Sequence, residues 1–454
     1  MSLTDKPTTR RGFLKATALT GTALATPHIF VRGAYAQECA TLGNFPVNGP
    51  NVVFGFNVPQ TGAYADEGAD ELRAQRLAVK HLNEGGGILE TLKPLHLTGQ
   101  GVLGKKVTYV TGDDQTNPDA ARQSARRMIE RDGVIMWNGG SSSATAVASQ
   151  YLAQELGVVF MNGLTHANET TGKDRRRFGF RQFFNTHMTG LALGPVIAEA
   201  YGTDRGAFHL TADYNWGHSM SGSIKDATEQ KGWTTINRVS TPLGSTDYSQ
   251  FLTAFLNSDA DVLVLNHYGN DMVNSVTQAV QFGIRDLVKN GKNVEIVVPL
   301  YSRLMAQGAG ENVADIYGTK NWNWTLDNPG AAAFVKAFTD EYGFPPSQAA
   351  HTCYVQVMLY ADACEKAGTF YAPEVIKALE DFTYSGDGYA TESLYRAGDH
   401  QSFHDILVVR GKAPSERQNE FDLVEIVNVV PRAQVEYPVD FFPGELGPYC
   451  PEKA

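Results

Sequence analysis

Cysteine is scarce in this chain, with four residues among 454, and no pair has the C-x-x-C spacing of thiol redox sites or zinc knuckles. Positive charge is also scarce, because 38 Lys and Arg residues stand against 49 Asp and Glu, for a formal net charge of −11. Nucleic-acid binding needs clustered basic residues. The one dense basic run, Arg175 to Arg177, is expected to be a solvated loop. The composition therefore argues against thiol chemistry and against nucleic acid as a partner.

Long apolar runs are missing beyond residue 36, so no later segment is expected to span a bilayer. The N-terminus has the layout of an export signal, with a basic head, a weakly apolar middle and a small-x-small cleavage site ending at Ala36. Arg10 and Arg11, followed by Phe-Leu-Lys, resemble the twin-arginine type. Residues 1–36 are therefore predicted to be a signal peptide that is handled by the twin-arginine export machinery and cleaved after Ala36. The mature protein is expected to be soluble and periplasmic.

The four cysteines are of two kinds. Disulfides persist in an oxidising periplasm, and Cys39 and Cys450, near the two ends of the mature chain, are candidates for one bridge. Cys353 and Cys364 fall in one predicted helix, where eleven residues separate them by about 16 Å, too far for a disulfide. These two are expected to be unbridged core thiols.

Short β runs alternate with helical stretches from Asn51 onward. "NVVFGFNV" (51–58) and "KVTYVTGDD" (106–114) read as strands, and Pro118 opens a helix after the second of them. This alternation predicts the α/β class, with right-handed crossovers between mostly parallel strands. Two regions are expected to be irregular: residues 302–330, and the Pro-rich tail beyond Lys412, which is expected to wrap over the surface.

Two motifs resemble catalytic or nucleotide sites without meeting their requirements. "GQGVLGKK" (99–106) contains G-x-G-x-x-G, but these glycines precede a strand instead of opening a helix, so it is expected to be a turn. The serine triplet Ser141–Ser143 follows a strand, yet no glycine stands two residues after any of the serines, as a nucleophile elbow requires. The triplet could still hold a ligand or cap a helix. No catalytic residue and no cofactor are predicted.

Polar and aromatic residues recur just after predicted strands. In open parallel sheets the ligand crevice lies at the carboxyl ends of the strands, so these residues are expected to converge. His166, His218 and His267 share this placement, but no metal-binding spacing accompanies them, and no metal site is predicted. Hydroxyl groups and rings without an acid–base pair favour a site that holds a small molecule. The other residues at such positions are Ser141–Ser143, Thr165, Tyr214, Trp216, Tyr268 and Tyr301.

Several stretches together resemble a known family. They include "FGFNVPQTGAYADEGADELRAQRLAVKHLNEGGG", "VTYVTGDDQTNPDAARQSARRMIERDGV", "NGGSSSATAVASQ" and "FMNGLTH". With the export signal, they are similar to the periplasmic binding proteins of branched-chain amino acid ABC importers, over about residues 50–410. The resemblance implies a type I periplasmic binding protein fold with two Rossmann-like lobes and a ligand cleft between them. It places lobe one at 50–184 plus 325–402 and lobe two at 185–324 plus 403–454.

The resemblance also implies the site residues. The serine loop and the loop after the next strand would hold a carboxylate or amide, through Ser142, Ser143, Leu164, Thr165 and His166. Trp216 and Tyr268 would cover the ligand. Tyr301 falls where amino-acid binders place an acid to pair with the ligand's ammonium group, and a phenol cannot supply that charge.

The expected ligand is therefore an aromatic or other carboxylic acid, with a small amide or urea second and a branched-chain amino acid as a further alternative. The implied partner of a monomeric receptor is the membrane permease of an ABC importer. A sensor partner in the membrane and a periplasmic, cofactor-dependent enzyme remain as alternatives.

Overall fold

A computed structural model describes Cys39 and residues 42–451, so the signal-peptide and cleavage-site predictions lie outside the described residues. The helices and strands of the described residues belong to the compact unit formed by residues 41–454. Within the described residues, no helix has both the length and the apolar composition needed to cross a bilayer. Cys39 and Cys450 are each disulfide-bonded. Cys353 and Cys364 are buried free thiols on one helix, which confirms the expectation for that pair.

The first part of the chain alternates regularly between strands and helices. Its elements are β1 (Asn51–Val58), α1 (Ala65–Glu84), β2 (Lys106–Asp113), α2 (Pro118–Asp132), β3 (Met136–Gly139), α3 (Ser143–Leu156), β4 (Val159–Asn162), β5 (Gly179–Arg181) and α4 (Thr186–Tyr201). The strands form a parallel sheet in the order β2-β1-β3-β4-β5. β1 lies inside this sheet and is almost entirely apolar and buried, as a parallel strand covered on both faces must be.

The second part repeats the alternation. Its elements are β6 (Gly206–Ala212), α5 (Asn215–Glu229), β7 (Thr234–Thr241), α6 (Ser249–Leu256), β8 (Val262–Asn266), α7 (Asn270–Gln281), β9 (Val288–Lys289), β10 (Lys292–Asn293), β11 (Glu295–Leu300), α8 (Arg303–Ala309) and β12 (Tyr317–Lys320). Both α8 and β12 fall in the region that the sequence predicts to be irregular. β12 has the sequence Tyr-Gly-Thr-Lys, which lacks the hydrophobic run of a buried strand although its last three residues are buried.

The last part of the chain adds helices beside the first sheet, two strands to the second sheet and a separate three-stranded sheet, β13-β14-β15. Its elements are α9 (Pro329–Tyr342), α10 (Gln348–Ala367), α11 (Ala372–Leu379), β13 (Phe382–Tyr384), β14 (Ser393–Tyr395), β15 (Ser402–Phe403), β16 (Ile406–Gly411), β17 (Val424–Val430) and α12 (Arg432–Val435). α10 packs against α1 beside the first sheet. β16 and β17 run antiparallel at one edge of the second sheet, whose order is β17-β16-β12-β11-β8-β6-β7. β17 lies beyond Lys412, so part of the predicted surface tail is a sheet strand.

Two apolar cores accompany the two sheets. One contains β1 to β5 with α1, α10 and α11, and the other contains β6, β8, β11, β12 and β16 with α4, α5 and α7. Tyr64, just before α1, and Leu164, just after β4, belong to the second core although they adjoin strands of the first sheet. The two halves of the molecule therefore meet at the ends of β1 and β4.

The basic run at residues 175–177 is not a solvated loop, so that prediction is wrong. Arg175 is 8% exposed, and its guanidinium group donates to the carbonyl oxygens of Val439, Phe442 and Gly444. The backbone N–H of Arg177 donates to Leu446 O at 2.6 Å. The run binds residues 436–451, hereafter the C-terminal segment. This segment has little helix or strand of its own, so its carbonyl groups need hydrogen-bond donors from elsewhere in the protein.

Candidate ligand-binding site

A double-glycine turn shapes the serine loop. Gly139 and Gly140 have φ angles of +119° and +94°, a region that favours glycine. A Cβ atom on Gly139 would lie 2.6 Å from Val58 Cγ1 and 2.9 Å from Asn57 O, so the close approach to β1 also requires glycine. The turn brings Gly140 N to 2.9 Å and Ser141 Oγ to 2.6 Å from the carboxyl group of Glu71 on α1.

The three serines have different environments. Ser141 donates to Glu71, so it is not the helix cap. Ser143 Oγ accepts from the backbone N–H groups of His166 and Ala167 at 3.1 and 3.0 Å, and so fixes the loop after β4. Ser142 occupies the N-cap position of α3 without a capping hydrogen bond from its side chain, and it is 2% exposed. Beside it, the first turn of α3 presents N–H groups that lack intrahelical acceptors. Ser142 and this turn are therefore suited to a ligand anion.

His166 connects the loop after β4 to the second half of the molecule. Its Nδ1 accepts from Trp216 Nε1 at 2.9 Å, and its Nε2 lies 3.1 Å from Thr189 Oγ1. Since an indole N–H can only donate, Nδ1 is unprotonated and Nε2 carries the hydrogen. Burial, and then the charge of Arg181, lower the pKa of His166 well below its ordinary value, so the ring is neutral. Leu164 and Thr165, also predicted as site residues, are buried in the same loop.

Trp216, the partner of His166, belongs to a group of four neighbouring rings, hereafter the aromatic cluster: Tyr64, Tyr214, Trp216 and Tyr268. The Trp216 centroid lies 6.0 Å from that of Tyr268 and 6.4 Å from that of His166. Tyr64 and Tyr268 are 5.7 Å apart, and the hydroxyl groups of Tyr64 and Tyr214 lie 2.6 Å apart. The structure thus brings together the predicted residues His166, Trp216 and Tyr268. Tyr64 was not predicted from the sequence, although this residue, like Trp216 and Tyr268, follows a strand.

Tyr301 is placed elsewhere. Its hydroxyl group donates to Ile316 O at 3.2 Å, and its ring packs against Gly318 in the second core. Among the described residues, no hydrogen bond or ring contact links the Tyr301 side chain to the aromatic cluster. Its neighbour Ser302 instead approaches α1, where it donates to Glu67 Oε1 at 2.6 Å. The phenol of Tyr301 therefore does not face the aromatic cluster, and it gives no ground for choosing between an acid and an amino acid as the ligand.

Buried carboxyl groups flank the site from the first half. Burial raises the pKa of Glu71 to about 8, and burial likewise raises the pKa values of Glu67 and Asp114 to about 7. The sequence analysis missed all three. Near neutral pH these groups hold protons for much of the time, so their charge does not strongly oppose an anionic ligand.

Glu71 predicts a pH dependence of folding stability. Its pKa is about 8 in the folded protein against an ordinary value of 4.5, so the folded state binds the proton more tightly. The contribution of Glu71 to the free energy of unfolding should therefore be largest below about pH 4.5 and be lost as the pH rises through 8, by up to about 1.4 kcal/mol per pH unit. Urea unfolding from pH 6 to 9 should show a Glu71→Gln variant gaining stability relative to the parent as the pH rises. Glu84→Gln, at the exposed end of α1, is the matched control, and a pH-independent difference for Glu71→Gln would contradict the assignment.

The other two strand-end histidines have separate partners. His218 is exposed and pairs with Asp213 at 2.9 Å. His267 is buried, with its ring nitrogens beside Thr241 Oγ1 and Ser275 Oγ. Within residues 42–451, no three His, Cys, Asp or Glu side chains come together in a way that could hold a metal ion.

The fold and site define a class of protein. A family model described as "Periplasmic binding protein" matches residues 51–417, most of the chain, so the chain belongs to this family. Its mixed α/β architecture with mostly parallel sheets is that of type I periplasmic binding proteins, which confirms the predicted fold class. The protein is a substrate-binding protein and not an enzyme, and its family is periplasmic.

Individual relatives are distant in sequence. The chain is 26% identical over 342 residues to a Leu/Ile/Val-binding protein homolog of Brucella abortus, covering 73% of this chain and 80% of that protein. It is similar to the structure of a periplasmic binding protein from Burkholderia mallei, with a TM-score of 0.76 and 24% identity over 86% of this chain and 96% of that one. It also resembles a solute-binding protein of an ABC transporter from Rhodopseudomonas palustris in complex with 3,4-dihydroxybenzoic acid, with a TM-score of 0.72 and 19% identity over 85% and 98% of the two chains. At these identities, the two structures show a shared fold.

Proposed function

We propose that this protein captures a small organic acid between its two halves and delivers it to the permease of an ABC importer. The observation that carries the proposal is the bond from Trp216 to His166, because it joins the aromatic cluster to the loop beside the N-terminus of α3. One side of the site then offers donors for a carboxylate, and the other offers rings for an apolar body.

Lobe closure is the proposed means of capture. For this proposal the lobes are taken to have the boundaries expected from the sequence, 50–184 plus 325–402 and 185–324 plus 403–454. Among the side-chain contacts that join residues of different lobes are Trp216 with His166, Tyr214 with Tyr64, and Ser302 with Glu67. A rotation of one lobe against the other would separate all three pairs, and hinge closure of this type is an established way to enclose a ligand.

An aromatic acid is the favoured ligand. A carboxyl group is common to 3,4-dihydroxybenzoic acid, which the Rhodopseudomonas relative holds, and to the amino acids for which the Brucella relative is named. Four rings at the site favour an aromatic body over a branched aliphatic one. A small amide or urea would need neutral hydrogen-bond partners but would leave these rings without a planar partner, so it is the second choice.

Isothermal titration tests the proposal with benzoate, leucine, acetamide and urea as probes. We expect benzoate to bind more tightly than the other three and to change the tryptophan fluorescence, because Trp216 adjoins the site. Binding of urea or acetamide without binding of either acid would overturn the assignment of an acid. Tighter binding of leucine would restore the amino-acid alternative.

Ser142→Ala is expected to weaken benzoate binding by about tenfold, because a hydroxyl donor to a charged group is lost. Titration of the variant measures this effect. Ser149→Ala is the matched control, since Ser149 is also buried on α3 but lies almost two turns from its N-terminus. Ser143→Ala is a poorer test, because it removes the acceptor of two backbone N–H groups and disturbs the loop itself. An unchanged affinity in Ser142→Ala would mean that the carboxylate binds elsewhere.

A further inference from the structure

A group of buried polar residues adjoins the aromatic cluster at Tyr268. Its members are Glu67, Tyr268, Ser302 and Gln348. Ser302 is fully used, because it donates to Glu67 Oε1 and accepts from Met305 N at 3.0 Å. Glu67 Oε2, the Tyr268 hydroxyl oxygen and Gln348 Oε1 form no hydrogen bond of ordinary geometry with the described residues. Tyr268 nevertheless lies close enough to Glu67 and Gln348 for their side chains to interact. Buried polar atoms in native proteins ordinarily have well-formed hydrogen bonds, so three loosely partnered atoms in one group can accept a further polar group.

The position of Glu67 on α1 sets its distance from the serine loop. Glu71, which bonds Ser141 and Gly140, lies one helical turn further along the same face, a rise of about 6 Å. The rings of Tyr268, Trp216 and His166 follow one another from Glu67 towards the loop bonded to Ser143, at centroid separations of 6.0 and 6.4 Å. A ligand whose carboxylate meets Ser142 and whose ring lies along the aromatic cluster would direct its far end at Glu67.

The charges that face Glu67 favour a neutral donor over a cationic one. Arg303 acts on Glu67 from α8, and Lys320 faces both Arg303 and Glu67 from the end of β12. Both are buried, and burial followed by the charge of Arg303 lowers the pKa of Lys320 to about 7, so an ammonium group placed here would meet the full charge of Arg303 and part of that of Lys320 in a poorly solvated region. Asp70 offsets part of this field, but it is already engaged with Arg303 at 3.3 Å and with Arg73 at 3.0 Å. A hydroxyl group can donate to Glu67 without that repulsion.

We propose that Glu67 determines ligand specificity by accepting a hydrogen bond from a hydroxyl group opposite the carboxylate of an aromatic acid, as in 4-hydroxybenzoate. This inference rests on the proposed function, since it takes the carboxylate to bind at Ser142. Tyr268 contributes both its ring, beside the ligand's ring, and its hydroxyl group, beside Glu67. The substrate class is then hydroxylated aromatic acids, in preference to unsubstituted aromatic acids or α-amino acids.

Isothermal titration of the purified protein with benzoate, 4-hydroxybenzoate and leucine tests this inference. We expect 4-hydroxybenzoate to bind at least about tenfold more tightly than benzoate, because a hydrogen bond is gained at a buried carboxyl oxygen that otherwise has no partner of ordinary geometry. Glu67→Gln should reduce the preference for 4-hydroxybenzoate over benzoate to less than about threefold. Asp66→Asn, an exposed acid next to Glu67 on α1, is the matched control and should retain the preference. Tyr268→Phe keeps the ring but removes the hydroxyl group beside Glu67, so it should also lower the preference for 4-hydroxybenzoate. This variant keeps the inference testable if Glu67→Gln fails to fold.

The outcomes separate this inference from the function on which it rests. Equal affinities for benzoate and 4-hydroxybenzoate, or a preference that survives both Glu67→Gln and Tyr268→Phe, would overturn the role of Glu67 and leave acid binding intact. Leucine binding more tightly than either acid would overturn the choice of a neutral donor. If neither aromatic acid binds, the proposed function fails, and the inference fails with it.

Discussion

A Trp216→Ala variant is expected to bind its aromatic acid at least about 30-fold more weakly than the parent protein. Trp216 supplies a wall of the aromatic cluster and the hydrogen bond that orients His166, so truncation removes apolar contact and a positioning contact at once. Buried tryptophans at binding surfaces typically contribute about 2–4 kcal/mol when they are truncated. Titration calorimetry with 4-hydroxybenzoate measures the loss directly.

Trp233→Ala is the control for this experiment. Trp216 and Trp233 are each 3% exposed and belong to the second core. Trp233, however, donates to Gly202 O, and among the described residues no hydrogen bond or ring contact links it to the aromatic cluster. Both variants should lower the thermal unfolding midpoint, whereas Trp216→Ala alone should change the affinity of the folded protein. Equal losses of affinity in the two variants would mean that the effect arises from general destabilisation and that Trp216 is not part of the site.

An Arg175→Met variant is expected to lose about 2–3 kcal/mol of folding stability. The substitution leaves the carbonyl groups of Val439, Phe442 and Gly444 without a charged donor, and hydrogen bonds to charged groups are worth about 1.5–3 kcal/mol. The C-terminal segment should then become accessible to carboxypeptidase. Urea unfolding gives the energy, and mass spectrometry of partial digests shows whether this segment is the part released.

Arg176→Met tests whether the loss of folding stability is specific to Arg175. Arg176 is the next residue in the same basic run, yet its guanidinium group lies 3.8 Å from the ring centroid of Tyr151 instead of binding the C-terminal segment. Its loss should cost less than about 1 kcal/mol. Equal destabilisation by the two substitutions, or digestion that begins elsewhere in the chain, would contradict the role assigned to Arg175.

The α/β fold is predictable from the sequence because parallel strands buried on both faces are nearly continuous hydrophobic runs. β1 has the predicted bounds, and Pro118 opens α2 as predicted. β12 was not predictable in this way, because its Tyr-Gly-Thr-Lys sequence has no such run. Its place in the sheet comes from pairing with β11, the preceding strand, and with β16, which lies far along the chain.

The site was predictable in part, for a related reason. Residues just after strands gather at one edge of a parallel sheet, and this rule identified His166, Trp216 and Tyr268. Glu67 and Glu71 could not be found by this rule, because they lie on a helix, where acidic side chains ordinarily face water. The pattern of α1 cannot show that its first two turns are covered by the serine loop, α10 and the second half of the molecule. Tyr301 stands after a strand like the others, but its side chain turns into the core, and strand-end position alone does not specify that direction.

The spacing of Glu67 and Glu71 has a consequence for comparing relatives of this protein. Each helical residue advances the side-chain direction by about 100°, so four residues return it nearly to the same face. One helix can thus present one acid to the serine loop and another to the far end of a ligand. Inserting a single residue between them would turn one of the two carboxyl groups towards a different face of the helix. The role proposed for Glu67 therefore predicts that receptors for hydroxylated aromatic acids will share a Glu-x-x-x-Glu register at the start of α1, and ligand titration of relatives with and without it checks this.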